Sequence, residues 1–180
     1  MSEFTNSPTS SPEEIQAYVQ ATVGLLGDSD PIRTLRETPG ELRRLTEGRS
    51  PEVLSAPEAP GKWSVREVVA HLADSELVWA FRLRMVLAHD RPHLAGYDQD
   101  AWARRLGYSE APLGRALETL SVVRAGNLAL LERATPEDMQ RVSLHEERGE
   151  ESLEHMIRLY AGHDLVHLGQ VARILAAVGK

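Results

Sequence analysis

The chain has 180 residues, 42% of them hydrophobic, and no cysteine; that is the size of one domain with one sizeable core, and it excludes disulfides, thiolate metal sites and cysteine nucleophiles together. A formal net charge of −7, with the basic residues scattered rather than striped, repels phosphate backbones and argues against nucleic acid as a partner. No apolar run reaches the roughly 18 residues of a membrane span and no signal-peptide pattern opens the chain, so it reads as soluble and cytoplasmic, with no membrane partner.

Residues 1–10 are rich in Ser, Thr, Asn and Pro and read as a disordered tail. Structure is expected from Ser11, where Ser-Pro-Glu-Glu supplies a cap, a proline at the first helical position and acidic residues in the first turn. Ile15, Val19, Val23 and Leu26 then recur at helical spacing, and the helix should end near Gly27. Asp30-Pro31 starts a second helix carrying Ile32, Leu35, Leu42 and Leu45. Thr38-Pro39-Gly40 interrupts it, so either the helix kinks there or two helices meet; the register resumes in phase, which favours a kink. Pro51, Pro57, Pro60 and Gly61 make 48–62 a loop.

Ser64 to Glu67 is a capping box with Trp63 placed as a hydrophobic staple, and the helix it opens should run to about Ala88. Residues 89–100 read as an irregular connection ending in a short helical turn at Trp102. A further helix starts at Ser109 or Glu110 with Pro112 in its first turn, and Thr135-Pro136 begins another short turn. Residues 140–150 are polar, with one extended strip around Val142 to Leu144. The last helix runs from about Ser152 to Val178, with Leu153, Met156, Tyr160, His163, His167, Val171 and Ile174 on one face. No strand pattern of any length appears, and four long helices argue for an all-α bundle.

Seven histidines are present. His89 and His93 flank a proline in a polar loop, His145 falls in a charged linker and His155 on the polar side of the last helix, so all four are expected at the surface. His71, His163 and His167 lie on core-facing stripes. His163 and His167 are one helical turn apart, so both imidazoles reach the same point. Three buried imidazoles either find separate hydrogen-bond partners or share one divalent ion. Three nitrogen ligands without a fourth leave a position open for water, thiolate or substrate. Asp74 and Asp164 are candidates to orient the rings, or they are ordinary surface charges.

Gly61-Lys62-Trp63-Ser64-Val65-Arg66-Glu67, His71-Leu72-Ala73-Asp74-Ser75-Glu76, Tyr97-Asp98-Gln99-Asp100 with Trp102, and His163-Asp164-Leu165-Val166-His167-Leu168-Gly169-Gln170 together resemble the DinB/YfiT-like superfamily. The resemblance spans about Asp30 to Leu175. It implies an up-down-down-up four-helix bundle, often dimeric, with one such domain over 11–180 and an extra N-terminal helix. It also implies a divalent metal, zinc or nickel, on His71, His163 and His167. Characterised members include transferases and isomerases that use small thiols such as bacillithiol, mycothiol or glutathione, and others described as metal-dependent hydrolases. Glu76 stands where some members have histidine, so a given member's substrate does not transfer.

The leading expectation is a metal-dependent S-transferase that presents a metal-bound thiolate of a low-molecular-weight cosubstrate to a small electrophile. The alternatives are a hydrolase using metal-bound hydroxide and a non-catalytic metal-binding or dimerisation bundle. Tyr97, Asp98 and Trp102 are expected to shape the mouth of the site, although Trp102 fits bundle-end packing better than substrate contact. A homodimer is expected.

Overall fold

The computed structural model describes residues 11–179, and the tail expected at 1–10 lies outside them. The elements in order are α1 (Pro12–Gly24), α2 (Pro31–Thr46), α3 (Pro51–Ser55), α4 (Val65–Ala88), β1 (His93–Leu94), α5 (Gln99–Arg105), α6 (Leu113–Leu131), α7 (Pro136–Met139), β2 (Val142–His145), β3 (Gly149–Ser152) and α8 (Leu153–Val178). The sequence signals for the long helices act as they should. Asp30 accepts from the Ile32 N–H at 2.9 Å at the start of α2, and Ser64 and Glu67 close a reciprocal box on α4. Among the described residues no helix is long and apolar enough to cross a membrane.

The direction of each long helix follows from two apolar clusters. One joins the end of α2 (Leu42), the starts of α4 (Val65, Val68, Val69) and α6 (Leu117, Leu120), and the end of α8 (Val171, Ile174). The other joins the opposite ends: Leu35 of α2, Trp79 and Leu83 of α4, Leu128 and Leu131 of α6, and Leu153 and Met156 of α8. Helices α4 and α6 are therefore parallel to each other and antiparallel to α2 and α8, an up-down-down-up bundle. The long connection from α4 to α6 makes the parallel pair possible. Helix α1 lies against α8, where a Cβ on Gly162 would overlap the Thr22 carbonyl.

A layer of buried charge separates the two clusters. The Arg124 guanidinium donates from Nη1 and Nη2 to Asp164 (2.6 and 3.2 Å) and from Nε to Glu76 (2.9 Å). Asn127 Nδ2 donates to the other Glu76 oxygen at 2.7 Å. Arg124 Nη1 also donates to the Leu35 carbonyl at 2.6 Å. That carbonyl is the one Pro39, four residues on and without an N–H, cannot use. Helix α2 therefore continues through Pro39 as one element, with its orphaned acceptor satisfied from α6.

Three local readings are corrected. The loop at 48–62 contains α3, because Pro51 follows the Ser50 cap as a first helical residue, where a missing N–H costs nothing. Helix α6 starts at Leu113, after a single 3₁₀ turn at Tyr108–Glu110, with Pro112 as its cap residue. A three-stranded sheet is present: β1 pairs parallel with β2, and β2 pairs antiparallel with β3. Its inward-facing residues include Ser143, His145 and Glu151, so it shows no apolar alternation.

Candidate metal centre

Helix α4 carries His71 and α8 carries His163 and His167, and the antiparallel packing of these helices brings the three rings together. His163 Nε2 lies 3.2 Å from His71 Nε2 and 3.1 Å from His167 Nε2. One ligand nitrogen from each ring falls within 4.8 Å of the others. His71 and His167 are buried and His163 is half-buried. Burial pushes all three imidazoles well toward the neutral form: His71 and His163 well below 6.5, and His167 to about 4, where the Gln170 contact opposes the shift.

The proton positions decide what this cluster can hold. Gln170 Oε1 is 2.8 Å from His167 Nδ1, which places the hydrogen of His167 on Nδ1 and leaves Nε2 a bare lone pair. His163 Nε2 then faces two nitrogens with at most one hydrogen. Both short contacts cannot be good hydrogen bonds at once, whereas one cation at the junction takes a lone pair from each ring. The two short separations are close to the edge of about 3.3 Å that Zn–N bonds of 2.0–2.1 Å give in a tetrahedron. Neutral imidazoles suit divalent transition metals, so the residues fit an ion of that class. The His71 ring is set by packing on Trp63, with centroids 5.0 Å apart, and its Nδ1 is buried without a partner among the described residues.

The other expected residues divide. Asp74 accepts from the Tyr108 hydroxyl at 2.7 Å and makes no hydrogen bond to the histidines. Asp164 is buried, as a core residue and not a surface charge, but spends both oxygens on Arg124; its charge acts on His167 only through space, favouring the protonated ring. Asp98 is the cap of α5, accepting from the Ala101 N–H at 2.9 Å. Tyr97 stands in the wall of a cavity of about 100 Å³ that opens beside His71 and His163. Trp102 packs against Tyr97 with its ring tilted by 41° and centroids 4.5 Å apart, and lies outside that wall. His89 and His93 are exposed and His155 half-buried.

His145 is not a surface residue. It is 3% exposed, because β2 turns it inward toward the cavity, and burial with Arg148 and Arg82 nearby pushes its pKa down to about 3. Arg82, Gln99 and Tyr160 share the cavity wall; the sequence placed Tyr160 on the face of the histidines and Gln99 in a motif, without assigning any of the three to the site. Tyr160 donates to the Ser75 carbonyl at 2.9 Å and stacks on Trp79. Gln170 was visible as part of the last motif, and its place one turn after His167 was the available signal for its role.

The DinB superfamily matches residues 34–171 of the chain. A protein of Geobacillus kaustophilus named "Putative metal-dependent hydrolase" is 32% identical over 144 residues, covering 79% of this chain and 81% of that relative. YfiT of Bacillus subtilis, also named "Putative metal-dependent hydrolase", is 29% identical over 149 residues, covering 82% and 84%. The solved structure of YfiT superposes with a TM-score of 0.78 at 25% identity, over 97% of this chain and 93% of that one. It is described as "a probable metal-dependent hydrolase with an unusual four-helix bundle topology".

Proposed function

The chain belongs to the DinB superfamily, and on that premise we propose that it is a metal-dependent enzyme with its ion, zinc or nickel, on His71, His163 and His167. The observation that carries the reading is the convergence of three neutral imidazole nitrogens with too few hydrogens to satisfy one another. A divalent ion bound by these residues would supply positive charge that acidifies a thiol or water ligand. The chain's own residues do the rest. Gln170 holds the His167 tautomer, Trp63 holds the His71 ring, and Tyr160, stacked on the buried Trp79, forms part of the wall of the adjoining cavity.

Transfer to a low-molecular-weight thiol is the preferred reaction. No carboxylate is hydrogen-bonded to the cluster, since Asp74 and Asp164 are committed to Tyr108 and Arg124. Neither is therefore free to act as a general base, and a thiol depends on one least, because coordination to a divalent cation would itself favour the thiolate; the remaining carboxylate in the cavity wall is Glu147. Hydrolysis is the second reading, favoured by the names of the relatives. The test is turnover of an alkylating fluorophore with a panel of small thiols, and of simple esters without thiol, by zinc- and nickel-loaded chain. Thiol-dependent conjugation that disappears in His167→Ala supports transfer, ester turnover that disappears in the same variant supports hydrolysis, and activity unchanged in that variant contradicts both.

A further inference from the structure

The cavity beside the histidines is lined by a buried guanidinium that belongs to no ion pair among the described residues and by two buried N–H donors without a partner among them. Arg82 is 6% exposed on α4, on the face of His71 and Ser75 and three turns further along. Its Nη2 donates to the Ala95 carbonyl at 2.5 Å. The ion pairs among the described residues do not include it. Arg148, in the same wall, is neutralised by two hydrogen bonds to Glu151 (2.6 and 2.8 Å). Glu147 also stands there, packed over Gly96 and already partnered. A buried guanidinium without a counter-charge is costly to keep, and proteins seldom do so unless a ligand supplies the charge.

Two neutral groups point to the same chemistry. His145 Nδ1 accepts from the Glu147 N–H at 3.2 Å, which places its hydrogen on Nε2, and that Nε2 is buried without a partner among the described residues. The Gln99 Nε2 amide is likewise buried without a partner. Strand β2 and helix α5 thus each bring an N–H donor without a partner among the described residues, and helix α4 a buried guanidinium without an ion pair among them, to one cavity wall. A ligand that satisfies three donors, one of them a charged fork, is an oxyanion.

We infer that Arg82, with His145 and Gln99, binds a carboxylate or phosphate group of the substrate while the substrate's reactive end lies at the three histidines. The second half rests on the metal-centre reading; the first rests on Arg82 and its neighbours. The eleven residues from His71 to Arg82 span about 16 Å of helix axis, shortened by an arginine stem that runs back toward the helix N-terminus. The anionic and reactive groups are therefore several bonds apart.

The test uses the full chain loaded with Co²⁺ and two matched probe series, ω-mercaptocarboxylates from mercaptoacetate to 6-mercaptohexanoate and mercaptoalcohols of equal length. Cobalt–thiolate absorption reports binding at the histidines, and the ratio of dissociation constants within each pair reports the second contact. The expected result is a preference of roughly tenfold for the carboxylate at one of the longer lengths. Arg82→Met should abolish it and leave the mercaptoalcohol constants unchanged. Equal constants at every length, or a preference that survives Arg82→Met, overturns the proposal. If Arg82→Met does not fold, Arg82→Lys keeps the charge without the fork and must lower the ratio; an unchanged ratio contradicts the inference.

A second readout separates this proposal from the metal reading. In metal-free chain, the arginine Nε–Hε NMR signal that is lost on substitution of Arg82 should shift saturably with propionate or methylphosphonate and not with propanol. The tighter of the two anions identifies the group as carboxylate or phosphate. Failure to bind cobalt with a saturable shift overturns the metal reading alone, and an unmoved signal overturns the anion site whatever cobalt does.

Discussion

His167 illustrates how a neighbour outside the metal-binding set fixes one inside it. Its Nδ1 hydrogen is held by Gln170, so its Nε2 lone pair is aimed before any ion arrives. Replacing Gln170 with leucine should weaken zinc affinity by about 10–100-fold in a chelator competition, with one ion still bound at saturation; an unchanged affinity contradicts the role. His145 carries a separate prediction. Its pKa falls from 6.5 to about 3 on burial, so between those values the unfolded chain binds the extra proton. Its contribution to stability is complete above pH 6.5 and is lost as the pH falls toward 3. His167, lowered to about 4, acts with the same sign. Denaturation of metal-free chain should show stability falling from pH 7 to 5, and His145→Gln should remove up to about 1.4 kcal/mol per pH unit of that slope. Identical slopes would contradict the buried neutral state.

At the scale of elements, α2 depends on α6 for the carbonyl that Pro39 orphans, and Arg124 ties that carbonyl to Glu76 and Asp164. Burial pushes the Glu76 carboxyl up and Arg124 pulls it back, so the layer is held by mutual compensation. Arg124→Leu strands two buried carboxylates and should cost about 3–5 kcal/mol in urea denaturation; a cost below about 1 kcal/mol would mean that the carboxylates find other partners. The long helices were legible because apolar period, caps and prolines agree: Ser64 with Glu67, Asp30 with Pro31, and Ser152 before Leu153 all mark the observed starts. The sheet was not legible, because β2 and β3 turn Ser143, His145 and Glu151 inward, where a pattern reading looks for apolar residues. Arg124 was hidden for the same reason, since sequence patterns assign arginine to the surface and it is buried. The three histidines were legible because each occupies a core stripe and two sit one turn apart. Gln170, one turn after His167, was within reach of the sequence, whereas the commitment of Asp74 to Tyr108 depended on packing between elements.

In the whole molecule, the up-down-down-up arrangement sets α4 beside α8, and the histidine cluster joins these two helices, with His71 set among residues of the first apolar cluster. An ion held there binds the folded chain and not the unfolded one, so metal binding and stability are linked. The most direct test is elemental analysis of zinc-equilibrated, dialysed chain beside His71→Ala, His163→Ala and His167→Ala, with helical content followed by circular dichroism. The account predicts one ion per wild-type chain, none retained in any of the three variants, and helical content unchanged. A wild-type chain that retains no ion, or a folded variant that keeps a full equivalent, would contradict it.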